Sequence, residues 1–533
     1  MALHVIAGQT YNGRMLVLLR TARATACLLI ATACLAFAQQ NGRRWKPNIP
    51  KTWDEDALRV WATPLAGLNV SPTHMSAKEY YSFKIENLRT YPVYFPGREP
   101  EGYWEMLQHV GPQPLIEPNK LRTVEDWVNA GKLVFEQVDF LHLRSRDPNF
   151  IEEARSKEQL ERAGVRPLPD GTLIGLRWVP TREGLAISSS NCSFCHTLNL
   201  PSGQRIPGAP FRTVAPRPPA TFRVWPMISR VQAQKHVLVG SPPFYMGAES
   251  IGMWLYRAYG VPWIANDIHQ QLKSVTEEEY EALDLAHRTS GALLRWNGSP
   301  FFPAKIPDLI GIKDRKYIDH TATHLHRSIA DLMRYAALVT SAEATQFGSY
   351  RVDSSEMKRP RLRLPDEALF ALALYIYSLQ PPANPNVFDE KARAGQAIFQ
   401  REGCPNCHTP PLYTNNRITL ASGFQVPKNK PVTLDVLDIS VGTDPGLATK
   451  TRKGTGYYKV PSLKGLWYRG HYLHDGSAAS LEEMFDPSRL NDDHVPGGWT
   501  PLGTKTRAIQ GHPFGLRLRD EERQQLLAFL RTL

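Results

Sequence analysis

The sequence predicts a mainly α protein: two similar helical modules in tandem behind an irregular N-terminal extension. Three observations carry this expectation. A Cys-x-x-Cys-His motif occurs twice, a set of helical segments recurs in register, and aromatics and prolines crowd the chain before the first motif.

The motifs are Cys192-Ser-Phe-Cys195-His196 and Cys404-Pro-Asn-Cys407-His408. Two thiols one helical turn apart, followed by histidine, form the attachment signature of c-type haem: the thiols add across the porphyrin vinyls and the histidine ligates iron. The spacing therefore implies two covalently bound haem c groups, anchored by Cys192, Cys195, Cys404 and Cys407, with His196 and His408 as proximal iron ligands. A disulfide within either pair would close too small a loop to stabilise much. A zinc or dithiol site does not account for a histidine in the fifth place both times.

The register is the second observation. Ile306-Pro307-Asp-Leu309-Ile-Gly311 resembles Val460-Pro461-Ser-Leu463-Lys-Gly465, with Arg315 and Arg469 each eight residues past the proline. Leu362-Arg363-Leu364 matches Leu516-Arg517-Leu518, and Tyr375 falls opposite Phe529. The spans Pro307 to Leu379 and Pro461 to Leu533 are both 72 residues. One module is thus present twice, with a longer insertion after the first motif.

Taken in order, residues 1–38 read as an export signal. Arg14, Arg20 and Arg23 precede the apolar run Ala26 to Ala38, which ends in the small-x-small site Ala36-Phe37-Ala38; Met15 is an alternative start. The run is too short for a stable membrane span after cleavage, an uncleaved N-terminal helix being the alternative. Removing Cys27 and Cys34 leaves four cysteines, all in the motifs, and places the protein in the periplasm or outside the cell. At 533 residues and 42% hydrophobic content the chain can bury a sizeable core. Its formal charge of +12 falls to about +9 once the signal arginines go. Nucleic acid is excluded as a partner outside the cytoplasm; a basic face suits an acidic redox protein as electron donor, although a solvated surface reads the same way.

Residues 39–175 form the extension. Passages such as Arg89 to Gly97 are extended, Val124 to Phe135 is helical with Trp127, Leu133 and Val134 on one face, and Asp170-Gly171 marks a hairpin. The helix is either a cap over a haem or a packing cover. Residues 176–385 form the first cytochrome c-like domain. Within it, Thr276-Glu-Glu-Glu279 caps a helix through His287, a second helix runs from about Ala322 to Val339, and a third from Asp366 to Leu379 stops at Gln380-Pro-Pro. Residues 386–533 form the second such domain, with Asp389 capping a helix that carries Gly395 and Phe399, and Asp520 capping a last helix striped with Leu526, Phe529, Leu530 and Leu533.

The far side of each iron is read from the register. Gly511-His512-Pro513 makes His512 the preferred distal ligand of the second haem, with Met484, His471 and His474 as rivals. The matching place in the first module holds Met357-Lys358 and no histidine, which points to an open site unless His320, His324 or His326 fills it.

The passage Tyr458-Lys-Val-Pro-Ser-Leu-Lys-Gly-Leu-Trp-Tyr-Arg-Gly-His-Tyr-Leu-His-Asp-Gly-Ser-Ala-Ala-Ser-Leu-Glu-Glu483 resembles the C-terminal haem domain of bacterial di-haem cytochrome c peroxidases, a superfamily that also holds the methylamine-utilisation di-haem enzyme and the di-haem rubber oxygenases. The likeness runs from about residue 180 to the end, and Gly511-His512 with Ile206-Pro-Gly-Ala-Pro210 leans toward the rubber-oxygenase side. It implies a first haem that reacts with peroxide or dioxygen and a second that supplies or stores electrons. Where the family commonly places a tryptophan between the haems, Tyr317 stands here, as an electron relay or as packing. The family's distal glutamate has no counterpart beyond nearby Glu343, its methionine ligand is replaced by Ser488, and its inter-haem calcium finds no carboxylate cluster. These departures leave a pure electron carrier and an oxygenase for an apolar substrate as alternatives.

Overall fold

The computed structural model describes residues 45–139, 144–146, 148–162, 167–189, 191–200, 202–211, 238–239, 251–276, 279, 292–293, 299–341, 346–351, 362–431, 434–501 and 503–533. The export segment, Glu343, Met357-Lys358 and the helix expected through His287 lie outside these residues, although Thr276 and Glu279 do make the reciprocal hydrogen bonds of a capping box. The chain divides into two units. The smaller joins the stretch ending at Asn48 to Glu117–Trp127; in it the Trp45 N–H donates to the Arg122 carbonyl at 2.7 Å. The larger comprises Ile49–Ile116 and Val128–Leu533.

Among the described residues the fold is helical with sheets, 35% helix and 15% strand, and so is not clearly the mainly α fold expected. The largest sheet lies around the first motif. Strands β1 (Tyr91–Tyr94), β2 (Arg144–Ser145), β3 (Thr172–Thr181), β4 (Gly184–Ser189) and β5 (Leu238–Val239) form one sheet in the order β1-β3-β4-β2-β5, all pairs antiparallel. The β3 run Leu-Ile-Gly-Leu-Arg-Trp-Val is rich in residues that fit a pleated, half-buried surface. Leu173, Leu176, Trp178 and Ile187 pack with Val93, Phe95, Phe150 and Leu160 into a core of their own. Asp170-Gly171 does form a turn, with the Gly171 N–H donating to Leu168 at 2.8 Å. The hairpin itself falls later, between β3 and β4, and β4 delivers the chain to Asn191 and Cys192.

The helices that matter to the modules are α1 (Val124–Gln137), α2 (Asp366–Ser378), α3 (Glu390–Arg401) and α4 (Asp520–Arg531). Asp389 caps α3, accepting from the Ala392 N–H at 2.9 Å. Arg519 rather than Asp520 occupies the capping position of α4, and Asp520 sits in the first turn, where a carboxylate meets the positive end of the helix dipole. At Gly395 a methyl group would lie 1.9 Å from the Gln525 carbonyl oxygen and 2.9 Å from the Phe529 Cβ. At Gly131 it would lie 1.9 Å from the Ala371 oxygen and 2.8 Å from the Tyr375 Cβ. The Phe399–Phe529 and Phe135–Tyr375 rings are each 5.3 Å apart. The two crossings are one arrangement made twice.

Residues assigned to the extension therefore supply the opening helix of the first module, and α1 is neither a cap nor a cover. Its sequence carried the signal, since Ala130-Gly131-x-x-x-Phe135 matches Ala394-Gly395-x-x-x-Phe399. Three strands of the sheet, β2, β3 and β4, lie between that helix and its haem motif, whereas β1 precedes the helix and β5 follows the motif. The helix expected from Ala322 begins instead at Ile329. Asp319 accepts from the Thr323 N–H at 2.7 Å and Ala322 takes a φ of 54°, which hold 319–326 in a turn. Among the described residues no helix is long and apolar enough to cross a membrane.

Gly131→Ala and Gly395→Ala each push a methyl into backbone, so each should destabilise by about 1–3 kcal/mol or more. Gly111→Ala, with nothing within 4 Å of the added methyl, should be near neutral. Urea unfolding of the three variants checks this.

Candidate haem sites

Both motifs fold into the same tight turn. Asn191 caps the first, accepting from the Phe194 N–H at 2.8 Å, and the His196 N–H donates to the Cys192 carbonyl at 3.0 Å. In the second, Gly403 enters at a φ of 72° and the His408 N–H donates to Cys404 at 2.9 Å. None of the four cysteines is paired in a disulfide.

The motif histidines are oriented alike. His196 Nδ1 lies 3.1 Å from the Pro307 carbonyl. His408 Nδ1 lies 3.2 Å from the Tyr413 carbonyl. A carbonyl only accepts, so Nδ1 carries the proton and Nε2 keeps its lone pair. Pro307 and Pro461 are the prolines matched by the repeat.

Opposite His408 stands His512, with ring centroids 6.2 Å apart and planes at 53°. Metal–nitrogen bonds of about 2 Å and an imidazole half-width of about 1 Å place two axial rings about 6 Å apart, so one ion fits between them. Burial holds both rings neutral, the state that ligates: His408 lies below the ordinary histidine range, and His512 is lowered to about 3, with the nearby His408 contributing. The buried His512 Nδ1 has no hydrogen-bond partner, an open valence on that ring. Around Cys404 lie Ile398, Phe399, Leu466, Leu526 and Phe529, the apolar lining a porphyrin needs. Met484 packs in that lining. The residues fit haem.

The three histidines weighed for the first iron are committed elsewhere. His326 bonds the Arg315 carbonyl at 2.8 Å and the Tyr377 hydroxyl at 2.6 Å. His324 faces Asp319 at 3.5 Å and His74 at 3.3 Å, and His320 bonds the Lys305 carbonyl at 2.8 Å. His74, from the extension, was not singled out by the sequence. Tyr317 is buried, its hydroxyl accepting from the Asp435 N–H at 3.0 Å. It lines a cavity of about 60 Å³ shared with Pro307, Asp308, Arg315, Lys459 and Pro461. Among the described residues no group of three or more His, Cys, Asp or Glu side chains is placed to hold a metal ion, so calcium finds no such donor set there.

Comparison with known proteins gives the same answer as the geometry. The chain is 27% identical over 164 residues to the cytochrome-c peroxidase IdrP1 of Denitromonas iodatirespirans, covering 27% of this chain and 40% of that protein. It is 29% identical over 146 residues to the methylamine utilization protein MauG of Methylorubrum extorquens, covering 27% and 34%. Over these stretches the chain is similar to a cytochrome-c peroxidase and to MauG. It spans well under half the length of these curated relatives. No family model matches. Among solved structures, Kuenenia stuttgartiensis hydrazine synthase aligns over 52% of this chain and 85% of its own at 15% identity and a TM-score of 0.28. A MauG-like protein associated with microbial copper homeostasis aligns over 49% and 82% at 15% identity and 0.27.

One residue of this site carries no signal in the sequence. Arg489 is fully buried, and its guanidinium donates to the carbonyls of Met484, Ile509, Gly511 and His512. It thereby fixes the loop that presents His512. Gly511, at a φ of 92°, would place a methyl 2.8 Å from the Thr443 Cα, so the loop admits only glycine there. No local pattern marks an arginine 23 residues upstream. Replacing Arg489 by Gln strands several carbonyls, at about 1–3 kcal/mol each. The expected outcome is lower stability and a weakened His512 bond, read as a high-spin fraction in the ferric spectrum of the Cys404–His408 haem.

Proposed function

We propose that this chain is an exported di-haem c-type oxidoreductase in which electrons enter at the C-terminal haem site and are used at the N-terminal one against peroxide or dioxygen. The observation that carries the reading is the inequality of the two sites. His408 and His512 face each other across the space for one metal ion, whereas residues 352–361, the stretch in register in the first module, contain no histidine. When bound, haem supplies one-electron iron chemistry whose outcome depends on whether an axial position is open.

The chain's own residues do the rest. The Pro307 and Tyr413 carbonyls fix the tautomers of His196 and His408 and raise their basicity as ligands. Arg489 holds His512 in place, which closes the second site to small ligands and keeps its electronic state from changing with substrate. Tyr317, buried in the cavity bounded by both prolines, lies on the route between the sites as a relay. A small redox protein with an acidic face suits the basic chain as donor. Periplasmic location follows from the haem motifs together with the N-terminal export pattern.

Electron paramagnetic resonance of the ferric protein with and without cyanide tests the reading. One signal should be low-spin and unresponsive, the other high-spin and converted by cyanide; two low-spin signals that both ignore cyanide would show a plain electron carrier. His512→Ala should open the second site alone. Tyr317→Phe should slow electron transfer between the sites in stopped-flow reduction and leave both resting spectra as they were; an unchanged rate assigns Tyr317 to packing.

A further inference from the structure

Tyr377 and His326 form a pair whose protons are assigned by their neighbours. His326 Nδ1 lies 2.8 Å from the Arg315 carbonyl. A carbonyl only accepts, so the ring proton sits on Nδ1 and Nε2 carries a lone pair. That lone pair faces the Tyr377 hydroxyl at 2.6 Å. Burial lowers His326 below the ordinary histidine range, so the imidazole is neutral and the hydroxyl is the donor. Other described tyrosines spend their protons differently. Tyr103, Tyr458 and Tyr472 donate to backbone carbonyls, which cannot keep a proton, and Tyr468 donates to the Asp308 carboxylate, ordinarily a much weaker base than imidazole.

A phenol that loses one electron becomes a strong acid, so its oxidation is easy only where a base stands ready within hydrogen-bond reach. His326 is such a base, and it is buried, so the proton it takes stays with the pair instead of passing to water. Asp331 adds to this arrangement: its carboxylate raises His326 against the effect of burial, which favours the imidazolium that proton transfer creates. Arg327 at 2.8 Å and Arg334 answer part of that carboxylate's charge. Burial, with Asp331 contributing, raises Tyr377 above the ordinary tyrosine range, so the resting side chain keeps its proton until an electron leaves.

The pair is built onto the first motif from two directions. Arg315, whose carbonyl fixes the His326 tautomer, lies eight residues past Pro307, whose carbonyl holds His196. The His326 N–H donates to the Lys316 carbonyl at 2.8 Å, and Leu325 bridges to Tyr317. On the other side, Tyr377 lies near the end of α2, and Leu379 just beyond it packs on Gly208, where a methyl would come within 2.7 Å of the leucine Cδ1. The Gly208 N–H in turn donates to the His196 carbonyl at 2.7 Å. We propose that Tyr377 and His326 form a proton-coupled redox site that stores one oxidising equivalent beside the first haem site. Tyr377 gives one electron to that site once peroxide has oxidised it, and the hydroxyl proton crosses the hydrogen bond to His326 Nε2. An electron arriving from the second site reduces the tyrosyl radical, and the proton returns to its oxygen. The peroxide step rests on the di-haem reading above; the oxidisable pair does not.

The test uses the holoprotein. Haem is first counted by pyridine haemochrome; fewer than two per chain overturns the di-haem reading itself. Two oxidants are then compared by freeze-quench electron paramagnetic resonance: hydrogen peroxide, which acts through the haem site, and a flash-quenched ruthenium polypyridyl complex, which needs no haem. The expected result is a tyrosyl signal with both oxidants that Tyr377→Phe removes and that the exposed control Tyr350→Phe leaves in place. In His326→Gln the yield should fall about tenfold or more. A Tyr377 signal with the photo-oxidant and none with peroxide supports the pair and overturns the peroxide step. No Tyr377 signal with either oxidant, or an undiminished yield in His326→Gln, overturns the proposal and leaves the pair as a structural hydrogen bond. If His326→Gln fails to fold, electron–nuclear double resonance of the wild-type radical in deuterium oxide decides. An exchangeable deuteron coupled to the phenolic oxygen is expected, and its absence counts against the proposal.

Discussion

Each motif histidine is held through Nδ1 by a backbone carbonyl, His196 by that of Pro307 and His408 by that of Tyr413. His196 reaches Pro307 across 111 residues, a separation no local preference can bridge. A carbonyl fixes the tautomer, and a fixed tautomer leaves the lone pair of the other ring nitrogen free to ligate.

That hydrogen bond needs the modules closed around it, which the helix crossings provide. Gly395 and Gly131 let backbone approach backbone, and Phe529 and Tyr375 fill the space beside them. In the second module the crossing helix runs directly into its motif. In the first, three strands of a sheet with its own apolar core intervene, so β4 rather than a helix presents Cys192.

The second site shows how a ligand loop is held without regular structure. His512 follows a glycine that tolerates no side chain, and its backbone is pinned by the Val441 carbonyl on one side and by Arg489 on the other. A guanidinium with several donors suits this task because one side chain satisfies carbonyls that a loop cannot pair among themselves. Removing it should affect coordination and stability together.

The motifs, the tandem repeat and the preference for His512 were legible in the chain, because covalent attachment demands fixed residue types at fixed spacing and duplication preserves register. The α3 and α4 helices were legible for a similar reason, local caps and an apolar stripe. Part of what was missed had a signal, the shared Ala-Gly-x-x-x-Phe of α1 and α3, hidden by the long insertion that separates the first copy from its motif. Arg489 and His74 had none, since each gains its meaning from partners far away in sequence. Residue type and spacing determined which chemistry the chain can carry; burial and long-range contact decided which imidazole faces His408 and which histidines are spent on hydrogen bonds.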